Sequence, residues 1–364
     1  MNSAREITGV CIYSAEALQQ LEQRLAAFDQ TREPGALWPG LSEAARVSAA
    51  REIERVVRDV LAARLPVLLD PHERHDAYAL AIAGHTTGAG PLVGRWIEDG
   101  LVSAWPAAHG VMVTHLVHAR RRAERIAREL QPALAALQAR GITPIVLKGF
   151  HTAAEYFEEP GVRRMSDVDL FIEPALLRDA KAALTLAGFR LAGDPLLAHK
   201  QEWIGAHDED RIFSVELSDE RTRWVIELHS SLARIFPAGT VAALDDLQRD
   251  TVMHSAAGVT FRVLEPHALL LMLACHCSEE LGSSRLLRLI EIVRVVRTER
   301  ARQRLQWSVF LDLLERTQAA QFAYPALALA EQLAPGTIDP RVIATCARAS
   351  TWAARHTVKR LVPA

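Results

Sequence analysis

Residues 163–174 read RRMSDVDLFIEP, with Asp167 and Asp169 two positions apart at the start of an apolar run. On a strand, alternate residues share a face, so both carboxylates project together. Two carboxylates this close repel each other unless a cation or a shared proton relieves them. An all-oxygen acidic pair suits Mg²⁺, with Mn²⁺ as the alternative; Mg²⁺ keeps waters and substrate phosphates among its ligands. Downstream, VIELHSS places Glu227 on a second β-like stretch, with His229 on the same face. Three carboxylates on adjacent strands can hold two metal ions for in-line phosphoryl transfer. The competing reading makes the aspartates a solvated strand end, Glu227 a surface acid and His229 a hydrogen-bonded structural residue.

Phosphoryl chemistry also needs an anion cradle. VLKGFHTAAEY runs from an apolar stretch through Lys148 and Gly149 into a helical pattern. Gly149 lets the backbone approach a ligand closely, and a helix start offers unpaired N–H groups to an anion. Lys148 adds one positive charge, and Arg163 and Arg164 add two just before the acids. Together these make a coherent triphosphate environment. Read this way, Lys148→Ala slows turnover with little change in melting temperature. The plainer alternatives are solvated loop arginines and a lysine snorkelling from a strand end.

The elements that must carry these residues follow from periodicity. Helical spacing covers 43–65, 75–84, 91–105 and 114–141, the last closed by Gly141. At Ile142 the pattern changes. ITPIVLKG (142–149) suits a buried strand, FHTAAEYF (150–157) a short helix, DVDLFIE (167–173) a strand and 174–189 a helix. Strand-like pieces follow at 200–207, 211–219 and 223–232, with a turn at 208–210. From about 245 the chain reads as helical to its end. The fold expected is therefore α+β: a small mixed β-sheet core between helical flanks. Its boundaries are 1–113, 114–240 and 241–364.

The whole chain restricts the function classes. Its 364 residues suffice for two or three domains. A formal net charge of −2 argues against a general nucleic-acid binder. Four scattered cysteines make no disulfide framework, which suits a reducing cytoplasm. The N-terminal stretch MNSAREITGVCIYSAEALQQ has charges where a signal peptide needs an apolar core. No apolar run approaches the ~20 residues of a membrane span. A cytoplasmic protein with no membrane partner is expected.

The segments LKG, then Y…GVRRMSDVDLFI, then IELH resemble the uncharacterised nucleotidyltransferase family of the polymerase-β-type superfamily. The resemblance covers about residues 115–300, with a weaker helical match from His276 to Ile292. It implies transfer of a nucleoside monophosphate, AMP from ATP being the first choice, with release of pyrophosphate. Asp167 and Asp169 become metal ligands, and Glu227 the third carboxylate that activates the attacking hydroxyl. That hydroxyl belongs to a small molecule, a peptide or a protein. One departure is Gly149-Phe150 where the superfamily carries Gly-Ser; Lys148 or the Thr152 hydroxyl would stand in. Arg164, three residues before Asp167, matches the family's Arg-x-x-Asp segment and is favoured over Arg163 as the phosphate ligand; His229 and Arg285 are further expected nucleotide contacts, and Arg288 either adds charge there or lies on a solvated face. Two other outcomes stay open: an inactive nucleotide-sensing protein of the same fold, and an antitoxin-like, RNA-directed regulator.

Other candidates carry less. CHC (275–277) sits in a helical pattern that points its members apart, so core is expected. HERHD (72–76), and His115 with His118, lack further ligands. GAGPLVG (88–94) follows no strand and contains Pro91, so it is set aside as a glycine fingerprint. HARRRAER (118–125) reads as a solvated basic helix face.

Overall fold

The computed structural model describes residues 14–193, 199–208, 211–236, 240–256, 259–281 and 285–361. The N-terminal part comprises helices α1 (Ala15–Thr31) and α2 (Glu43–Leu61), strand β1 (Val67–Leu69), helices α3 (Ala77–Thr87) and α4 (Gly90–Glu98), and strand β2 (Val102–Ala104). Its helix starts follow capping rules: Ser42 and Asp76 accept from the backbone N–H groups of Ala45 and Ala79 at 3.1 and 2.6 Å. The long helix α5 (Pro106–Gln138) begins at Pro106 and runs through Pro132 as one element. Gly94, one of the glycines set aside above, has a packing role: a Cβ there would run into the Met112 carbonyl of α5.

The central sheet has seven strands. In chain order they are β3 (Ile145–Val146), β4 (Asp167–Phe171), β5 (Phe189–Leu191), β6 (Lys200–Gly205), β7 (Val225–His229), β10 (Thr251–Ala256) and β11 (Val259–Leu264). Their spatial order is β10-β11-β3-β4-β7-β6-β5. The β11–β3 and β4–β7 pairs are parallel and the others antiparallel, so the sheet is mixed. Strands β8 (Arg234–Ile235) and β9 (Val241–Ala242) form a separate ribbon. Helix α6 (Phe150–Tyr156) follows β3, and α7 (Leu177–Leu186) follows β4. The chain ends with α8 (Pro266–Glu279), α9 (Arg285–Ala301), α10 (Trp307–Thr317), α11 (Ala320–Leu333), α12 (Pro340–Ala349) and α13 (Trp352–Arg360).

Three stretches differ from the sequence reading: the helix expected over 91–105 ends at Glu98, and Val102–Ala104 pairs with β1 as strand β2 instead. Residues 211–219 form no strand, although their apolar and polar residues alternate. Instead the segment is held by side-chain contacts, Ser214 Oγ accepting from the N–H groups of Glu216 and Leu217. Conversely, the region after 245 makes only a short 3-10 helix, Asp245–Arg249, before it turns to strand. TVMHSA and VTFRVL pair antiparallel as β10 and β11, so the sheet extends past the boundary expected at 240. The turn expected at 208–210 lies largely outside the described residues.

The sheet's two faces have different covers. Val168 and Leu170 of β4, with Ile226 and Leu228 of β7, are at most 1% exposed and pack in one core with Ile126, Leu130 and Leu134 of α5 and Ala183 and Leu184 of α7. Each such side chain contributes about 1.5–3 kcal/mol by leaving water. The alternate residues of the same strands, Asp167, Asp169, Phe171, Glu227 and His229, point the other way. On that side Phe171 joins a second core, which includes residues of α2–α4 and of the C-terminal helices. Both helical ends of the chain thus wall the face that carries the acids. Cys275, Cys277 and Cys346 are buried, and burial pushes the Cys346 thiol up to about 12, as befits core residues.

Candidate active site

The parallel register of β4 and β7 sets Asp169 beside Glu227 and Phe171 beside His229. Alternation puts all three carboxylates on one face, together with His229. Ligand atoms of Asp169, Glu227 and His229 lie within 4.8 Å of one another. His229 Nε2 is 3.1 Å from Asp169 Oδ1 and 3.5 Å from Glu227 Oε2. Asp169 can only accept, so Nε2 carries the proton there.

Lys148 reaches the pair from the end of β3. Its Nζ is 2.5 Å from Asp169 Oδ2 and 3.7 Å from Asp167 Oδ2. Burial would raise the Asp169 carboxyl, but the Lys148 ammonium and the His229 hydrogen bond overcome it and hold the group well below the usual carboxylate range. Burial likewise works to lower Lys148, and Asp169, then Asp167, outweigh it and raise the amine. Gly149 follows at φ +64°, a backbone state that favours glycine, and turns the chain into α6. At seven residues, α6 is a short helix.

Arg163 and Arg164 part ways. Arg163 is buried and donates to both oxygens of Glu291 on α9, at 2.8 and 3.0 Å. Thr152 donates its hydroxyl to the same Glu291 and to the Gly149 carbonyl. Both residues are therefore engaged with Glu291 in this structure, which fixes the loop before β4. Arg164 instead donates Nη1 to the His85 carbonyl at 2.9 Å and, among the described residues, forms no ion pair with a carboxylate. Burial lowers its guanidinium to about 10, and Asp167 only partly offsets that. A guanidinium anchored on a carbonyl and only partly countered by Asp167 is suited to an anion. Arg285 heads α9, but its side chain lies outside the described residues.

Several contributors had little signal in the sequence. Lys200 on β6 pairs with Glu227 at 2.8 Å, which depends on an antiparallel register no short motif encodes. Arg122 on α5 donates to the carbonyls of Met165 and Arg223 at 2.7 and 2.8 Å, and so ties the approaches of β4 and β7 together. The basic run around it is turned inward: Arg120 pairs with Glu98 and Glu159, and Arg125 with Glu129 and Asp208. Glu291 did leave a signal, a lone acid inside LLRLIEIVRVV. A second group, His276, Glu279 and Glu280, also comes within 4.8 Å at the end of α8. Its acids pair with Arg234 at 3.5 Å and Arg288 at 2.5 Å.

The chemistry of this constellation is that of a cation site between carboxylates, with fixed positive charge alongside. Comparison with family models gives it a class. Residues 74–335 match the model for uncharacterised nucleotidyltransferases, and the chain belongs to that family. The matched span includes the whole seven-stranded sheet and its acids. No match to the chain was found among curated proteins or among solved structures. Membership implies an NTP substrate and a divalent metal, for which the acidic groups are suitable donors. Among the described residues, no helix is long and apolar enough to cross a membrane.

Proposed function

We propose that the chain transfers an NMP, AMP from ATP in the first instance, onto a hydroxyl of a small molecule, peptide or protein and releases pyrophosphate. The observation that carries this reading is the β4–β7 register, which sets Glu227 directly beside Asp169 on the face shared with Asp167. In it, Asp167, Asp169 and Glu227 would hold Mg²⁺ or Mn²⁺, which would supply Lewis-acid stabilisation of the phosphoryl charge. Glu227 takes the proton of the acceptor hydroxyl. His229 holds Asp169 and Glu227 in mutual orientation. Lys148, Gly149 and Arg164 face the triphosphate, where charge grows as pyrophosphate departs. Thr152 and Arg163 support that wall through Glu291 rather than touching phosphate. The three buried thiols suit a reducing cytoplasm.

The test is incubation with each labelled NTP and Mg²⁺, alone and with hydroxyl acceptors, read as pyrophosphate release and label transfer. Release that depends on Asp169 supports the reading; label that never moves, whatever the acceptor, sinks it. One observation favours a nucleotide-sensing protein instead: Glu227, the proton acceptor, is ion-paired with Lys200. A sensor would bind NTP in wild-type and Asp169→Asn forms alike and release no pyrophosphate. The inward-turned arginines of α5 give the RNA-directed alternative little support.

A further inference from the structure

Every acid of the trio has a donor of the protein's own against it. Glu227 meets Lys200 at 2.8 Å and His229 at 3.5 Å. Asp169 receives His229 on one oxygen and Lys148 on the other. Asp167 receives the Ser166 hydroxyl at 3.1 Å on Oδ1 and faces Lys148 across 3.7 Å on Oδ2. The Lys148 ammonium therefore sits against the two Oδ2 atoms that a cation bridging the aspartates would take.

It is also held there. Lys148 is only 4% exposed. The backbone on either side is fixed, Leu147 N–H donating to the Asp169 carbonyl at 3.1 Å and Gly149 turning at positive φ. We infer that Lys148 is a placeholder cation: its ammonium occupies the seat between Asp167 and Asp169 until a metal–NTP complex arrives, then moves onto the phosphates. This rests on the transferase reading above.

The physical case is a competition between like charges for shared oxygens. Mg²⁺ binds carboxylate oxygen at about 2.0–2.1 Å and tolerates little distortion. Placed on Asp169 Oδ2, it shares that oxygen with an ammonium already within 2.5 Å. A metal arriving alone must drive a buried positive charge off the two carboxylates it faces, with no new anion to receive it. A metal arriving with triphosphate brings that anion. Lysine suits the exchange, because its charge is a point on a flexible four-carbon stem and it binds phosphate readily. Metal and nucleotide then bind together, and free divalent ions are kept out of the acids.

Titration calorimetry with Mn²⁺ alone tests this on the full chain in wild-type, Lys148→Met and Lys148→Gln forms. Both variants should bind Mn²⁺ at least tenfold more tightly than wild type. Mn²⁺ should also raise their melting temperatures by more than it raises that of wild type, and Asp169→Asn added to either should abolish both gains. A lysine that only braced the fold would not be replaced by a divalent ion in this way. If Lys148→Met does not fold, Lys148→Gln, which keeps a donor for Asp169, carries the comparison. Variants that bind Mn²⁺ no better than wild type overturn the inference, even where ATP-dependent activity stands. Failure of the transferase reading looks different: Mn²⁺ with ATP would then bind wild type and Asp169→Asn equally.

Discussion

Among the described residues, two places bring a histidine and two acids within reach of one cation, and they are built differently. Asp169, Glu227 and His229 stand on neighbouring central strands, with Asp169 only 1% exposed. His276, Glu279 and Glu280 lie along the last turn of α8 and just beyond it, with Glu280 exposed. Helical spacing alone brings the second group together, and arginines then screen its carboxylates. In the first, two strands hold acids out of water against their own repulsion, which persists only where something compensates it. Proximity of ligand atoms is thus common to both, and burial against a fixed backbone separates them.

The comparison breaks most readily at Asp169. Asp169→Asn removes charge without shape and should cut pyrophosphate release on the order of a thousandfold, the scale of losing one group that stabilises transition-state charge. Glu279→Gln, measured in the same assay, should stay near wild type; an equal loss would make the α8 group part of the site.

Next come the buried cations. Lys148→Ala should slow transfer and raise KM for NTP, as the sequence reading expects, but its stability effect differs from that reading. It leaves Asp169 buried without its ammonium, a change that typically costs about 3–5 kcal/mol. A clear fall in melting temperature is therefore expected in metal-free buffer. Arg163→Met should destabilise comparably by stranding Glu291, whereas Arg164→Met should leave melting nearly unchanged and weaken NTP binding. Calorimetric melting curves and nucleotide titrations of the two arginine variants separate these outcomes.

Acidity sharpens the contrast further. Burial holds His115 at about 3 and His151 at about 4, and keeps His276 well below the ordinary histidine value. Below about pH 6.5 the unfolded chain takes up protons on these rings while the folded chain does not. Stability is therefore full above that pH and falls as pH drops toward the folded values, by about 1.4 kcal/mol per pH unit for each ring. Melting temperatures should hold from pH 7.5 to about 6.5 and decline steadily from there to pH 5; a profile flat throughout would mean the rings are solvated. The smallest effect belongs to the exposed Arg288–Glu280 pair, where Glu280→Gln should change stability by at most about 1 kcal/mol.

What could be read from the chain was the strand chemistry. Asp167 and Asp169 were legible because alternation fixes which residues share a face, and Glu227 with His229 for the same reason. The α+β class followed from the change of periodicity at Ile142. Pairing was not legible. Nothing local says that β6 lies beside β7, so Lys200 was invisible, and nothing local separates the unpaired alternation of 211–219 from the paired alternation of TVMHSA and VTFRVL. Arg163 and Arg164 are adjacent and chemically identical; the spacing to Asp167 favours Arg164, but the capture of Arg163 by Glu291 from α9 has no local signal.

The order of strands has a consequence in time. Asp169 and Glu227 are neighbours across a parallel pair, yet the chain between β4 and β7 first travels out through α7, β5 and β6 to one margin of the sheet. Pairing so distant in sequence closes slowly, because its loop entropy is lost before any contact compensates. A chain emerging from the ribosome carries both aspartates and their lysine well before the third acid exists. In refolding, catalytic competence should therefore appear with the last structural phase, behind the helices and the β3–β4 pair.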